Sequence, residues 1–576
     1  MTETDCTSND CPANRLPDTS RCLEHATEEE FTLFVESLHP GKVLVFQRTN
    51  IHANRLNVIL ETLRSESGEI HIGRAFFEHS TLHGIIKFKG VTFQGIANFR
   101  ECVFTQPAHF ESCTFKGNAQ FSGVQFQRFT RITNNRFNKD LTFRNATCGE
   151  GVGFTGSELC GRADFSDAEI LRIGKFSQIV WHSSVNFSRA KLVDCSFNSS
   201  IFAGGLTARD AEVSGKFQMQ GVEVKDVINF EGSSFSDLTF MGPLAVAGTL
   251  KINDCNWTGR GRISVSAHRF DMSRTQFEDP IEIRVRNSIT RAEGVRFGKP
   301  SLLTGEADIF HFATSEGARG NLSEDGLHPK KIRSHPMLVS LRSSDVTNLT
   351  IAHFDLSTCS FAETNNLDLL RLSGNPIFSQ TPKRLRFRRG RRPSVWWSSR
   401  QVIDEERQWR SAQGWAGWSG ADARSPSAET VSQLYRALRS SHEAAGDGPG
   451  AADFYYGEME MRRHSRGTPR AERAVIFLYW MLSGYGLRAG RASIGFITTL
   501  LSLSLISLLF GFHGISPSYV EVTVYWASCM LSLRGGDADL TDHLTIAGET
   551  VRISLRLLGP FFIGLALLAV RNRVKR

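Results

Sequence analysis

The sequence predicts a mainly β chain: a long β-solenoid, then an α-helical hairpin and two transmembrane helices. Three observations carry that reading. Large apolar residues recur at alternating steps of five and six from Phe88 to Leu192, helical amphipathic spacing surrounds residues 429–464, and two apolar runs lie near the C-terminal end.

A chain of 576 residues is too long for one compact core. Its 50 Gly and 42 Phe, against 7 Tyr, point to one residue type recurring at a fixed structural position. The series runs Phe88, Phe93, Phe99, Phe104, Phe110, Phe115, Phe121 and Phe126, and continues in step with Ile132, Cys148, Leu159, Ile170, Trp181 and Leu192 as substitutes. Two residues before many of these sits something small: Ala97, Cys102, Ala108, Cys113, Ala119, Ala146, Ala163, Ala168, Ala190. The resulting period of 11 also occurs in right-handed helical supercoils. A helix fails, however, because a step of five turns about 140° and splits the series over two stripes. Pro107 and the frequent Gly oppose it as well. A continuous strand also fails, since an odd step changes face. Short strands separated by face-resetting corners satisfy the pattern, and that is a solenoid coil.

Ala97-Asn98-Phe99, Ala163-Asp164-Phe165 and Phe354-Asp355-Leu356-Ser357 resemble the unit A-[DN]-[LF]-x-x of the pentapeptide-repeat family. The resemblance implies a right-handed β-helix with four units per square coil, the Phe or Leu inside and the small residue sharing the interior. The strict stretch would make about five coils, on the order of 24 Å long. Weaker repetition through Phe217, Phe230, Phe240, Ile263, Phe277 and Phe297 extends the solenoid to about residue 310. A second patch runs from Val346 to Leu372, and Ala313–Pro336 between them reads as a loop. The expected organisation is therefore an N-terminal segment 1–30, a small helical or mixed cap 31–74, the solenoid 75–375, a basic Trp-rich linker 376–427, a helical hairpin 428–490 and a membrane region 491–576.

In the hairpin, Glu429–Arg439 places Val431, Leu434, Tyr435 and Leu438 on one helical face. Ala451–His464 is its partner across the turn at residues 446–450. Ile494–Phe512 carries no charge and is long enough to cross a bilayer. Leu557–Val570 reaches that length if it begins near Ile553 with Arg556 snorkelling. Arg488 and Arg491 before the first span, with Arg571, Arg573, Lys575 and Arg576 after the second, place both termini in the cytoplasm and the loop 513–552 outside. These segments, the stretch Leu478-Tyr479-Trp480 to Ser483-Gly484-Tyr485-Gly486 and the ending Ala569-Val570-Arg571-Asn572-Arg573 resemble bacterial pentapeptide-repeat membrane proteins. That resemblance implies a multi-pass protein of the bacterial plasma membrane and no common biochemical activity.

The net charge of +8 is concentrated late, in Lys383–Arg392 and the last six residues. The repeat is near balance, which argues against nucleic acid as a partner and against the acidic DNA mimicry of some relatives. Lys383–Arg392 followed by Trp396 and Trp397 is read as contacting anionic lipid. The 11 Cys are scattered, and the first thirty residues lack an apolar core, so reduced thiols and a cytoplasmic N-terminus are expected.

One constellation carries metal chemistry. Cys6, Cys11, Cys22 and His25 form C-x4-C-x10-C-x2-H, three thiolates and an imidazole suited to tetrahedral zinc in a structural role, since four protein ligands leave no open position. Asp537, Asp539, Asp542 and His543 read as a solvated acidic loop, and Glu460 with His464 as a surface pair one helical turn apart. No nucleophile with a base, phosphate-binding glycine loop or paired carboxylates stands out, so no enzyme is expected. The leading functional reading is a scaffold held at the lipid bilayer, presenting its solenoid to a protein partner. The alternative is a homo-oligomeric channel using Tyr519–Leu533 as a re-entrant element, although Arg534 in Ser532–Asp537 would repel a cation.

Overall fold

The computed structural model describes residues 6–8, 11–66, 68–313, 319–321, 335–382, 386–387, 393–394, 399–415, 417–418, 426–531 and 538–574. The chain divides into two compact units, 1–366 with 373–377, and 367–372 with 378–576.

The first unit is a parallel β-solenoid of about 13 turns. Phe104 pairs in register with Phe126, Phe126 with Cys148, Cys148 with Ile170 and Ile170 with Leu192, all parallel. Successive coils are therefore 22 residues apart, so the period of 11 in the sequence is half a coil and the four inward residues of a coil form four columns. Rings in a column stack at the spacing of adjacent strands. Phe77–Phe99 centroids lie 4.8 Å apart at 9°, Phe93–Phe115 4.7 Å, and Phe115–Phe137 4.6 Å. Rings of neighbouring columns meet edge to face, as Phe99 and Phe110 do at 5.6 Å and 82°. The residues predicted to point inward from Phe88 to Leu192 are buried.

Alternate corners, 11 residues apart, are set by a residue in the left-handed region followed by a buried interior one. Glu101, Ser112, Asn134, Asp167 and Arg189 have φ between 54° and 58°. A polar interior residue then clips its coil to the one before it. Ser157 Oγ donates to the Ile132 carbonyl at 3.0 Å, Ser200 Oγ to Phe176 at 2.8 Å, Ser233 Oγ to Ala208 at 2.6 Å and Cys102 Sγ to Phe77 at 2.8 Å. These bonds satisfy carbonyls that turn out of the ladder at the corner.

The solenoid differs from the sequence expectation at its start. Leu44 pairs with Ala75 and Ile51 with Leu82, so the first coil lies within 31–74. Helix α1 (Glu28–Glu36) precedes that coil, and helix α2 (Ala53–Thr62) is inserted into it. Downstream, Leu238–Lys251 and Gly261–Asp271 run as long strands around what are corners elsewhere, and the coil shortens, with Phe277 pairing Phe297. Ser301–Gly305 then pairs with Leu349–Ala352, and Ile289–Arg291 with Met337–Ser340. The patch from Val346 is thus the next turn of the same ladder. The intervening loop begins as an antiparallel pair, His311–Ala313 with Arg319–Asn321.

The second unit opens with the antiparallel pair Ser379–Gln380 and Gln401–Val402, followed by α3 (Asp404–Ala412). The predicted hairpin is present as α4 (Ala428–Ala444) and α5 (Gly448–His464). They approach closely: a Cβ at Gly457 would strike the Tyr435 ring. Helix α6 (Arg470–Ser483) ends in three consecutive positive-φ residues, Gly484, Tyr485 and Gly486. Next come α7 (Ala489–Phe510), α8 (Tyr519–Met530), the single turn α9 (Ala538–Thr541) and α10 (Ile546–Val574). Two helices, Ala489–Phe510 and Ile546–Arg571, are long and apolar enough to cross a membrane. The second begins earlier than Ile553, so Arg552 and Arg556 lie within one continuous helix.

The linker expectation for 376–427 is corrected by α3, whose Glu406 and Arg410 are fully buried. Its basic residues Lys383, Arg384, Arg388, Arg389, Arg391 and Arg392, with Trp396 and Trp397, lie outside the described residues. So do Ser532–Asp537, including Arg534, and the terminal Lys575 and Arg576.

Candidate metal centre

Residues 11–26 form a compact knuckle on the first coil. Cys6 N–H donates to the Ala13 carbonyl at 2.9 Å, Leu16 to Arg21 at 2.8 Å and Ala26 to Cys22 at 2.9 Å, and Asp18 takes the left-handed turn position at φ 59°. A capping box between Thr27 and Glu30 then starts α1 immediately after His25. The knuckle is fastened to the solenoid by polar bonds. Asn14 Nδ2 donates to Gln47 Oε1 at 3.0 Å, the Glu24 carboxylate accepts from Asn50 Nδ2 at 2.8 Å, and Arg55 Nη2 donates to the Ala26 carbonyl at 3.0 Å.

This frame brings all four predicted ligands together, with donor atoms within 4.8 Å of one another. Cys11 Sγ lies 3.8 Å from Cys22 Sγ, Cys22 Sγ 3.4 Å from His25 Nδ1, and Cys6 Sγ 3.7 Å from His25 Nδ1. Zn–S bonds of about 2.3 Å at tetrahedral angles put neighbouring sulfurs about 3.8 Å apart, so the cluster has the dimensions of such a site. Two outer contacts prepare the sulfurs: Cys22 N–H donates to Cys6 Sγ at 3.3 Å and Thr49 Oγ1 to Cys22 Sγ at 3.7 Å. The thiols are unequal. Burial opposes charge on Cys6, but the Ser8 and Cys22 backbone N–H groups outweigh it and bring its pKa to about 6. Burial, with the neighbouring sulfurs of Cys22 and Cys6, pushes Cys11 to about 12. Cys6 and Cys22 are buried while His25 faces solvent.

A second cluster, Glu158, Cys160 and His182, lies on the solenoid surface. Glu158 is already engaged there, by Arg136 at 2.7 Å and by His182 Nε2 at 2.9 Å. It is part of a wider pattern in which charges one coil apart alternate in sign. Arg189 pairs with Asp167, Lys191 with Glu169, Arg128 with Glu150 and Arg274 with Asp254. Several of these residues occupy the left-handed corner positions, so the corner geometry stacks them.

The surface pair expected at Glu460 and His464 is instead the edge of a buried ionic cluster. Glu460 is 5% exposed and accepts from Arg463 at 2.7 Å and from Tyr485 Oη at 3.0 Å. Beside it, Glu406 accepts from Arg400 Nη2 on both carboxylate oxygens and from Arg410 Nε at 2.6–2.7 Å, and from Tyr435 Oη at 2.5 Å. Arg410 also reaches Glu460, at 3.4 Å, and lies 4.8 Å over the Trp415 ring. Burial opposes both carboxylates, but the guanidiniums hold Glu406 below and Glu460 well below the usual range. Helix α5 alone gives no warning of this, because Glu460's partners Arg410 and Tyr485 lie far off in sequence.

Among known proteins, the family model described as pentapeptide repeats (9 copies) matches residues 77–125. No curated protein matches the chain, and no solved structure does.

Proposed function

We propose that this pentapeptide-repeat protein is a non-catalytic interaction scaffold held at a bacterial plasma membrane, its solenoid presented to a protein partner in the cytoplasm. The observation that carries the reading is a continuous ladder whose outward side chains repeat at one-coil intervals, in the same chain as two helices long enough to span a bilayer. A rigid rod with stacked surface rows is a geometry repeat proteins use for extended docking. Among the described residues, the alternating charges leave no acidic face resembling a nucleic acid. Basic residues flanking both spans, Arg488 and Arg491 on one side and Arg571 on the other, favour both termini inside.

In this reading Cys6, Cys11, Cys22 and His25 hold a structural zinc. It closes the knuckle over the first coil, which would otherwise present an unpaired strand edge. The basic segment 383–392 adds contact with anionic lipid.

The scaffold is tested by proximity labelling in cells, comparing full-length protein with a chain ending before Ala489. A partner set recovered with the full chain and lost when surface rows of the solenoid are reversed in charge supports it. Labelling no different from an unrelated membrane protein overturns it.

A second reading, an oligomeric channel, is favoured by α8. This short helix packs against both spans, with Trp526 Nε1 donating to Ser507 Oγ at 2.6 Å on α7. Gly559 on α10 lies where a Cβ would strike the Met530 carbonyl. Conductance across planar bilayers, abolished by changing Gly535 and Gly536, would establish it.

A further inference from the structure

We infer that α6 is a third membrane element: an interfacial helix lying in the headgroup region ahead of the first span, with its apolar face in lipid. This rests on the membrane reading above and extends it to a segment expected to be cytoplasmic.

The exposed and buried sides of α6 are the reverse of a soluble helix. At about 100° per residue, Phe477, Met481, Ala474, Leu478, Ala471 and Val475 fall on one arc of roughly 160°. All six face solvent, Val475 at 65%, Leu478 at 49%, Met481 at 48% and Phe477 at 45% exposure. The opposite arc holds the polar contacts: Glu472 pairs with Arg462 at 2.6 Å, Arg473 donates to the Thr468 carbonyl at 2.9 Å, and Trp480 Nε1 donates to Tyr456 Oη at 3.1 Å. Among the described residues nothing covers the apolar arc.

Three features commit the occupant to lipid. First, the arc is continuous with the span: Arg491 Nη1 at the start of α7 donates to the Trp480 carbonyl at 3.0 Å, and Ile494 and Ile497 beyond it are more than half exposed in the same way. Second, the surroundings are basic. Arg466, Arg470, Arg473, Arg488 and Arg491 flank the helix against the single acid Glu472, which Arg462 already holds. Arg470 lies on the exposed arc itself, placed to reach phosphates. Third, 14 residues span only about 21 Å, too short to cross a bilayer of about 30 Å but the length of an in-plane helix. The corner at residues 484–486 then turns the chain into α7.

The test is photo-crosslinking of the full chain reconstituted in vesicles of phosphatidylethanolamine and phosphatidylglycerol. Phe477→p-benzoylphenylalanine and Met481→p-benzoylphenylalanine report on the arc, Ile497→p-benzoylphenylalanine on the span, and Glu443→p-benzoylphenylalanine on an exposed site of α4. The expected result is lipid adduct at 477 and 481 at a yield comparable to 497 and about tenfold above 443. Adduct at 497 with none at 477 or 481 overturns the inference while leaving the span intact. A crosslink from 477 to a second copy, or to another protein segment, overturns it in favour of a protein interface. Absence of lipid adduct at 497 removes the membrane reading and this inference with it.

Discussion

Tyr485, the left-handed residue at the corner between α6 and α7, donates its phenolic proton to Glu460 on α5, Oη to Oε2 3.0 Å. The corner leading into α7 is thereby tied to the ionic cluster inside the helical unit. A flexible joint would leave α7 free to tilt, whereas this one is held by a buried charge.

Glu460→Gln removes that charge and leaves Arg463 and Arg410 buried with a single remaining carboxylate, Glu406. Breaking a buried pair by deleting one partner costs on the order of 3–5 kcal/mol, because the other charge stays desolvated. The thermal midpoint in detergent should fall steeply, and hydrogen exchange at residues 484–488 should accelerate. Tyr485→Phe should cost about 1–2 kcal/mol and act on the corner first. An unchanged midpoint in Glu460→Gln would show the cluster to be dispensable.

His442 gives the helical unit a pH response. Its Nδ1–H donates to Asp447 at 2.9 Å, Nε2 has no hydrogen-bond partner among the described residues, and Phe454 packs on the ring at 4.6 Å. Burial lowers its pKa, outweighing the attraction of Asp447 and Asp453. The folded state therefore binds fewer protons than the unfolded one. Stability is full above the unfolded value of about 6.5 and declines as pH falls through it, until the lowered folded pKa is passed. The slope is at most about 1.4 kcal/mol per pH unit, and His442→Gln should flatten it in unfolding midpoints measured from about pH 7.5 to 5.5.

What the sequence revealed and what it hid follow from the range of the interactions. Phe99, Phe121 and Phe143 were legible because each coil reuses one position, so a local period reports a global fold. Cys6, Cys11, Cys22 and His25 were legible because the chain that brings them together is short. The first coil at Leu44 was hidden because α2 interrupts the period, and the joining of Ser301–Gly305 to Leu349–Ala352 because the excursion between them exceeds a coil. Glu460 read as one of a surface pair, since its partner Arg410, 50 residues away, leaves no mark on local periodicity.

Phe110→Ala tests the column packing. Phe110 stacks on Phe88 at 5.0 Å and meets Phe99 and Phe121 edge to face. Loss of a buried Phe costs about 3–5 kcal/mol. In a nearest-neighbour ladder the damage should be local, with exchange protection lost in the coils around residues 88–132 and retained beyond Phe235. Uniform loss along the whole rod would contradict the independence of the coils.

The zinc proposal makes the sharpest demand on the N-terminal end. Purified full-length protein should carry about one zinc per chain. Cys22→Ser should lose it, because Cys22 Sγ lies within 3.8 Å of both Cys11 Sγ and His25 Nδ1 and, among the described residues, no other ligand adjoins the cluster to replace it. Cys160→Ser, on the solenoid surface, should keep it. Acidification should release metal, since protons compete for the three thiolates and the imidazole. Without metal the knuckle retains its polar fastenings to Gln47, Asn50 and Arg55 and the burial of Leu16 and Leu23, so exchange should rise at residues 11–26 and then at the edge strand Asn50–His52 beside it. If zinc is absent from the wild-type chain prepared without chelator, or persists in Cys22→Ser, the four side chains are a metal-free polar cluster and the cap is held by hydrogen bonds and apolar packing.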